Sequence, residues 1–219
     1  MAIEVYWVSG SPFSWRVMLA LEVKGLPYQA HLLEMSKRQH KTPEFLAINP
    51  RGEVPALRDG EVVVAESIAI LAYLDRRYPE PPLFGRTPAE AAAIWQEVMQ
   101  GALHVDRFED FILPLYFGEV AAKEAEVKQA IPRIRAELDR LEKTLTDRAW
   151  LAGPALSAAD LTVYPVIRSL LRAAEKPDAA RFDHGFLPMA ATWPNVVRWM
   201  GAVEALPGYD RTFPPHWRG

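Results

Sequence analysis

The chain has no cysteine. It can form no disulfide, offers no thiolate to a metal and cannot cycle a thiol of its own. Histidine is scarce too, and His31, His40, His104, His184 and His216 lie too far apart for HExxH or any comparable metal-binding spacing. Long apolar runs are missing, since nothing approaches the ~18 residues that a membrane-spanning helix needs. The opening residues MAIEVYWVSG lack a basic stretch followed by an apolar run, so no secretory signal is expected and the expected location is the cytoplasm. An excess of positive charge is also absent. The formal net charge is -3, with cationic and anionic residues interspersed, which argues against a nucleic-acid binder.

What is present is ordinary folded-protein material: 219 residues, 50% apolar and 24% charged, enough for one large domain or two small ones. The first 80 or so residues mix two periods. Residues 3–7 read as a strand, 13–24 as a helix stopped by Gly25, and 28–33 as a second strand. Thr42-Pro43 reads as the cap and first position of a short helix. Residues 56–58 and 61–65 flank Asp59-Gly60, a hairpin signal, and 67–77 return to helical spacing. The order β-α-β-α-β-β-α suits a small mixed sheet covered by helices. Beyond about residue 88 the strand signals fade. Helices are expected over 88–117, with Pro114 ending or bending it, and over 120–145, 157–173 and 192–204. Ile131, Ile134, Leu138, Leu141 and Leu145 form an apolar stripe. The proline-rich stretch 78–85 reads as a stiff connector between the two parts.

The most informative local feature is Ser11-Pro12-Phe13-Ser14, between the first strand and the first helix. A thiol-disulfide enzyme would place cysteines there. Here the positions carry hydroxyls, so if chemistry happens at this loop the sulfur arrives with a ligand.

Four stretches, SPFSWRVMLAL, FLAINPRGEVPAL, AESIAILAYL and LAGPALSAADLTVYP, follow one another along essentially the whole chain, and in that order they resemble the cytosolic glutathione transferases. SPFSWRVMLAL resembles the first-helix motif of the serine-type classes, nearest tau and zeta, although Pro12-Phe13 departs from the zeta pattern SSCSWRV. FLAINPRGEVPAL resembles the segment ending in a cis-proline, AESIAILAYL the glutathione-binding turn and third helix, and LAGPALSAADLTVYP the capping motif of the helical domain. The resemblance implies a thioredoxin-like domain over 1–80 and an all-helical domain over 88–219 that holds an electrophile pocket. It further implies a glutathione transferase that joins the thiolate of glutathione to a small, apolar or aromatic electrophile, working as a homodimer. Glutathione is then a co-substrate, with no tightly bound cofactor, no metal, and no nucleic-acid or membrane partner. Glutathione-dependent isomerisation or dehalogenation is the nearest alternative, and a non-enzymatic ligand-binding protein on the same scaffold is another.

A free thiol ionises near pKa ~8.5, so only about 3% is thiolate at pH 7. Lowering that pKa by ~2 units takes about 2.7 kcal/mol, and a charge-assisted hydrogen bond supplies ~1.5–3 kcal/mol. Ser11 matches the family's catalytic serine and would donate to the glutathione thiolate; its plain alternative is a helix N-cap followed by Pro12. Ser14 and Tyr6 are competing hydroxyls, Ser14 as a helix-backbone partner otherwise and Tyr6 as part of the sheet. By the resemblance Glu66 would meet the γ-glutamyl ammonium and Ser67 the carboxylate, Ser67 also capping its helix. Val54, before Pro55, would pair its backbone with the cysteinyl unit, and Lys41, or the adjacent His40, would meet the glycyl carboxylate. Phe13, His104, Arg107, Phe108, Phe111 and Tyr116 or Tyr164 are candidates for the electrophile pocket, with core packing as the alternative for each. Ser157 to Asp160 reads as a capping box that serves stability. The aromatic tail 209–219 is expected either to fold back over the pocket or to fray.

Overall fold

The computed structural model describes residues 2–218. Residues up to Phe84 together with those from Ala205 onward form one compact unit, and Gly85–Glu204 form the other. The sequence groups 205–219 with the helical part; by their contacts residues 205–218 cluster with the first unit.

The first unit is built on a four-stranded sheet in the order β2-β1-β3-β4. The strands are β1 (Ile3–Trp7), β2 (Tyr28–Leu32), β3 (Ala56–Asp59) and β4 (Val62–Ala65), and its helices are α1 (Pro12–Val23), α2 (Pro43–Leu46) and α3 (Ser67–Arg77). Strand β1 runs parallel to β2 and antiparallel to β3, and β3 is antiparallel to β4. Alternation along β1 buries Ile3, Val5 and Trp7, while Glu4 and Tyr6 stay half-buried on the other face. Helix α1 packs against α3 and is buried from Ser14 to Leu21. The hairpin lies one residue later than expected. Asp59 pairs with Val62, so the loop is Gly60-Glu61, with Gly60 first and at φ +63°. Glycine at the first central position suits a type II′ turn, which matches the twist of the strands.

The proline-rich connector is tied down by a buried cation. The Lys24 ammonium sits 3.1 Å from Asp75 and donates to the carbonyls of Tyr78 and Pro81, while Asp75 accepts from the Leu83 and Phe84 N–H groups.

In the second unit the helix expected over 88–117 is two: α4 (Pro88–Gln100) and α5 (Glu109–Phe117), separated by a π turn at Gly101–Val105 and a 3-10 turn at Asp106–Phe108. Pro114 neither ends nor divides the run but sits inside α5. The irregularity starts at Gly101, where an added Cβ would lie 3.1 Å from the side chains of Thr162 and Val163. Close packing, invisible to a local pattern, therefore sets the break. The remaining long helices are α6 (Glu124–Thr144), α7 (Ala158–Ala174) and α8 (Pro194–Glu204). On α6 the stripe buries Ile134, Leu138 and Leu141, with Leu145 buried just beyond the helix, whereas Ile131 is only half-buried. Helix α7 is buried almost throughout and is the centre of this unit.

The loop before α8 holds a pH-sensitive contact. Nδ1 of His184 accepts a hydrogen bond from the Phe186 N–H at 3.0 Å, and the Arg135 guanidinium donates to the His184 carbonyl. Burial, then the charge of Arg135, lowers the His184 pKa. A lowered folded-state value means the unfolded chain takes up the proton first as pH falls below ~6.5. The stability from neutral His184 is thus present above that pH and lost as pH falls through the folded value. His40, also lowered by burial first and then by Lys41 and Arg38, acts with the same sign. The melting temperature should fall between pH 6.5 and pH 5, and His184→Asn, which keeps an acceptor but takes up no proton, should flatten part of that slope in a thermal-melt series.

Candidate functional site

The register of the sheet brings the site segments to one end. Trp7 pairs with Leu32, Tyr6 with Ala56, and Ala56 with Ala65. The segments 8–11, 33–41, 54–55 and 66–67 therefore all leave or enter the sheet at the same end. Every candidate for binding glutathione lies on them or in the first turn of α1.

Ser11 is the N-cap of α1: its Oγ accepts from the Ser14 N–H at 3.3 Å, and Pro12 fills the first helical position. Its own N–H donates to the Val8 carbonyl at 3.1 Å. A hydroxyl that accepts from the helix still has its proton to give, so capping and donation outward are compatible roles. Ser14 is different. It is fully buried, and its Oγ faces the Val8 N–H at 3.5 Å, which makes it an internal brace of the loop. Tyr6 is engaged in the sheet. Its hydroxyl donates to Glu4 at 2.9 Å, its ring stacks on His31 at 4.6 Å, and burial followed by the Glu4 bond raises its pKa.

Helix α3 begins at Ser67, so Glu66, and not Ser67, occupies the N-cap position, and no side chain caps the helix. The expectation that Ser67 caps is corrected here, because Ser67 is already inside the first turn. The uncapped amides at this end suit an anion. Glu66 is exposed and holds φ +68°, a left-handed value that costs a non-glycine residue roughly 1–3 kcal/mol and tends to mark functional turns.

Arg16 was not singled out from the sequence. It is fully buried, its guanidinium lies 4.8 Å from the Phe13 ring centroid, and Nη1 donates to Ser67 Oγ at 3.3 Å. It thereby joins the first turn of α1 to the first turn of α3. The available signal was an arginine three residues after Phe13, directly before the apolar run 17–21.

The Val54-Pro55 peptide is cis. Upstream of it the Lys41 ammonium donates to the carbonyls of Arg51 (2.9 Å) and Gly52 (3.0 Å), which leaves one of its three N–H bonds for another acceptor. Gly52, at φ +63°, is pressed against this pair, and an added Cβ would lie 2.7 Å from the His40 carbonyl oxygen. Burial, then the charges of Lys41 and Arg38, lower the His40 pKa, so the positive charge at this corner comes from Lys41 and Arg38.

In the second unit the pocket candidates separate. Phe108, Phe111 and Tyr164 are core side chains; Phe111 packs edge-on against Phe186, and the Tyr164 hydroxyl donates to Glu204. Tyr116 is half-buried, with its pKa pushed up to about 12 mainly by burial. His104 and Arg107 are exposed and line a cavity of about 330 Å³ with Phe108, Ile134, Glu137 and Arg140. Among the described residues no cluster of His, Asp and Glu is suited to hold a metal ion, and no helix is long and apolar enough to cross a membrane.

Residues 10–77 match the model of the glutathione S-transferase N-terminal domain, and 104–207 that of the glutathione S-transferase C-terminal domain. Glutathione S-transferase A of Pleuronectes platessa is 30% identical, over 98% of this chain and 92% of its own. The chain belongs to the glutathione S-transferase family. The zeta-class glutathione S-transferase of Euphorbia esula is 33% identical over 97% of this chain and 90% of its own. A glutathione transferase family member from Pseudomonas fluorescens, solved with two glutathione bound, is 25% identical with a TM-score of 0.83, covering 97% of this chain and 92% of its own. As a glutathione S-transferase the protein is an enzyme that joins glutathione to an electrophile. Its mixed α/β unit with a parallel β1–β2 pair is the thioredoxin-like part of that fold, and the α4–α8 bundle is the helical part.

Proposed function

We propose that glutathione lies along the common end of the sheet in the first unit, with its thiol at Ser11. The observation that carries this reading is the Ser11 hydroxyl itself: it accepts from the Ser14 N–H, and its proton remains for an acceptor outside the loop. A thiolate is such an acceptor, and the N-terminus of α1 adds a favourable partial charge. Glu66 meets the γ-glutamyl ammonium, and Ser67 with the uncapped end of α3 meets the neighbouring carboxylate. The backbone of Val54, beside Pro55, pairs with the cysteinyl unit. The third N–H of Lys41 meets the glycyl carboxylate, with neutral His40 shaping that corner. Phe13, held by Arg16, packs beside the sulfur.

Within the family this is a serine-type mechanism, nearest the tau and zeta classes by its SPFSWRV motif. The thiolate attacks an electrophilic carbon of a small apolar or aromatic molecule, and holding both reactants together lowers the barrier further. The solved relative with glutathione bound supports the choice of thiol. The same reading makes the protein a cytoplasmic homodimer. A titration of thiolate absorbance in the protein–glutathione complex tests it. Ionisation should move well below the ~8.5 of a free thiol, and an activated aryl halide should then consume one glutathione per product. An unshifted thiol would leave a ligand-binding scaffold, and product formed without net loss of glutathione would make the enzyme an isomerase.

A further inference from the structure

The far end of the chain is packed against the loop that carries Ser11. Residues 205–218 belong to the first unit, where α9 (Tyr209–Thr212) lies on α1. Trp15 Nε1 donates to Thr212 Oγ1 at 2.8 Å, both residues being buried. The Trp15 ring meets Phe213 and Trp217 edge-on at 5.7 and 5.6 Å, and Arg211 pairs with Glu22. This anchoring delivers His216, in a short 3-10 turn at Pro215–Trp217, to Ser9 and Gly10.

Those two residues are the centre of a tight turn. The Ser11 N–H closes it on the Val8 carbonyl, and Gly10, its third residue, holds φ +84°, as a type II turn requires. Ser9 Oγ is 2.6 Å from Nδ1 of His216. The imidazole also covers Gly10 so closely that an added Cβ would lie 2.9 Å from His216 Cε1. One side of the turn is thus fixed by the first turn of α1, through the Ser14 N–H to Ser11 Oγ and the Val8 N–H to Ser14 Oγ, and the other by His216.

We propose that His216 is a positioning residue for Ser11, clamping the Val8–Ser11 turn so that the Ser11 hydroxyl is aimed before glutathione arrives. The proposal rests on the reading of Ser11 as thiolate donor. A donor's contribution depends on its being held in place before the charge forms, and a turn one residue upstream sets where Ser11 Oγ points.

The test is the ionisation of bound glutathione, followed by thiolate absorbance against pH in Ser9→Ala, His216→Ala, His216→Asn and Ser11→Ala, with glutathione affinity measured alongside. Ser9→Ala and His216→Ala should each raise the thiol pKa by roughly half a unit, a three-fold change in the ionisation constant. The double variant should add little to either single change, since both remove one contact. His216→Asn, which places a polar atom near the Nδ1 position, should recover part of the shift. Affinity for glutathione should change less than three-fold. Ser9→Ala leaves the tail's packing intact and decides the matter should His216→Ala fail to fold. If Ser11→Ala shifts the pKa while Ser9→Ala and His216→Ala do not, the clamp is wrong and the Ser11 reading stands. If Ser11→Ala also leaves it unchanged, the Ser11 reading falls and takes the clamp with it.

Discussion

Ser11→Ala should raise the ionisation pKa of bound glutathione by about two units, close to that of a free thiol. The accompanying loss of rate is smaller and depends on pH. Removing the donor lowers the thiolate fraction, but the thiolate that does form has a higher pKa and is intrinsically more nucleophilic, with a Brønsted slope of ~0.4–0.5. Taking pKa values of about 6.5 and 8.5, the variant should be slower by about ten-fold at pH 6 and about three-fold at pH 7, draw level at about pH 7.6 and run about two-fold faster at pH 8. A pH–rate series with an electrophile whose attack is rate-limiting measures this. A loss that stays constant from pH 6 to pH 9 would mean that Ser11 helps to bind substrate or shape the loop without setting the ionisation. Ser14 is a poor substitute, because it is sealed inside the loop with its oxygen facing the Val8 amide.

The largest loss of stability is expected in the second unit, at Asp160. Its carboxylate is fully buried and accepts from the Leu151 and Ser157 N–H groups, from the Ser157 hydroxyl and from Trp199 Nε1, all at 2.9–3.1 Å. The return bond from the Ala159 N–H to Ser157 Oγ at 3.3 Å completes the N-cap of α7. Burial raises the Asp160 pKa above its ordinary value, and the four donors pull the other way. Asp160→Ala would strand several buried donors at once, each worth about 1–3 kcal/mol when left unmet. The loss should therefore reach about 3–5 kcal/mol, well beyond the ~1 kcal/mol of an ordinary N-cap. Asp160→Asn should lose less, since one acceptor oxygen remains for two of the donors. Urea unfolding of the three proteins measures the difference, and a loss near 1 kcal/mol for Asp160→Ala would mean that the network adds nothing beyond the cap.

What the sequence could and could not disclose follows from how far apart the deciding atoms lie. Ser11, Thr42, Ser157 and Asp160 were legible because a cap is made by residues two or three apart, and the structure places the corresponding bonds there. The order of strands and helices in the first unit was legible for the same reason. The break between α4 and α5 was not, because Gly101 is set by contact with Thr162 and Val163, some sixty residues on. Pro114, expected to end or bend the run, lies inside α5, three residues before its last residue, Phe117. The role of Arg16 was not legible, because its partner Ser67 lies 51 positions further on. The tail was the hardest to read: its partners, Trp15 and Ser9, precede it by about two hundred positions.

That last feature bears on how the protein is made. The thioredoxin-like unit is discontinuous in the chain, interrupted by the whole of Gly85–Glu204. At ~5–20 residues per second, a ribosome needs roughly 6–24 s to synthesise that interval. Until it has done so, the surface around Trp15 has no Tyr209, Phe213 or Trp217 to cover it. The aromatic patch of the first unit is therefore closed only by residues made after the whole of Gly85–Glu204.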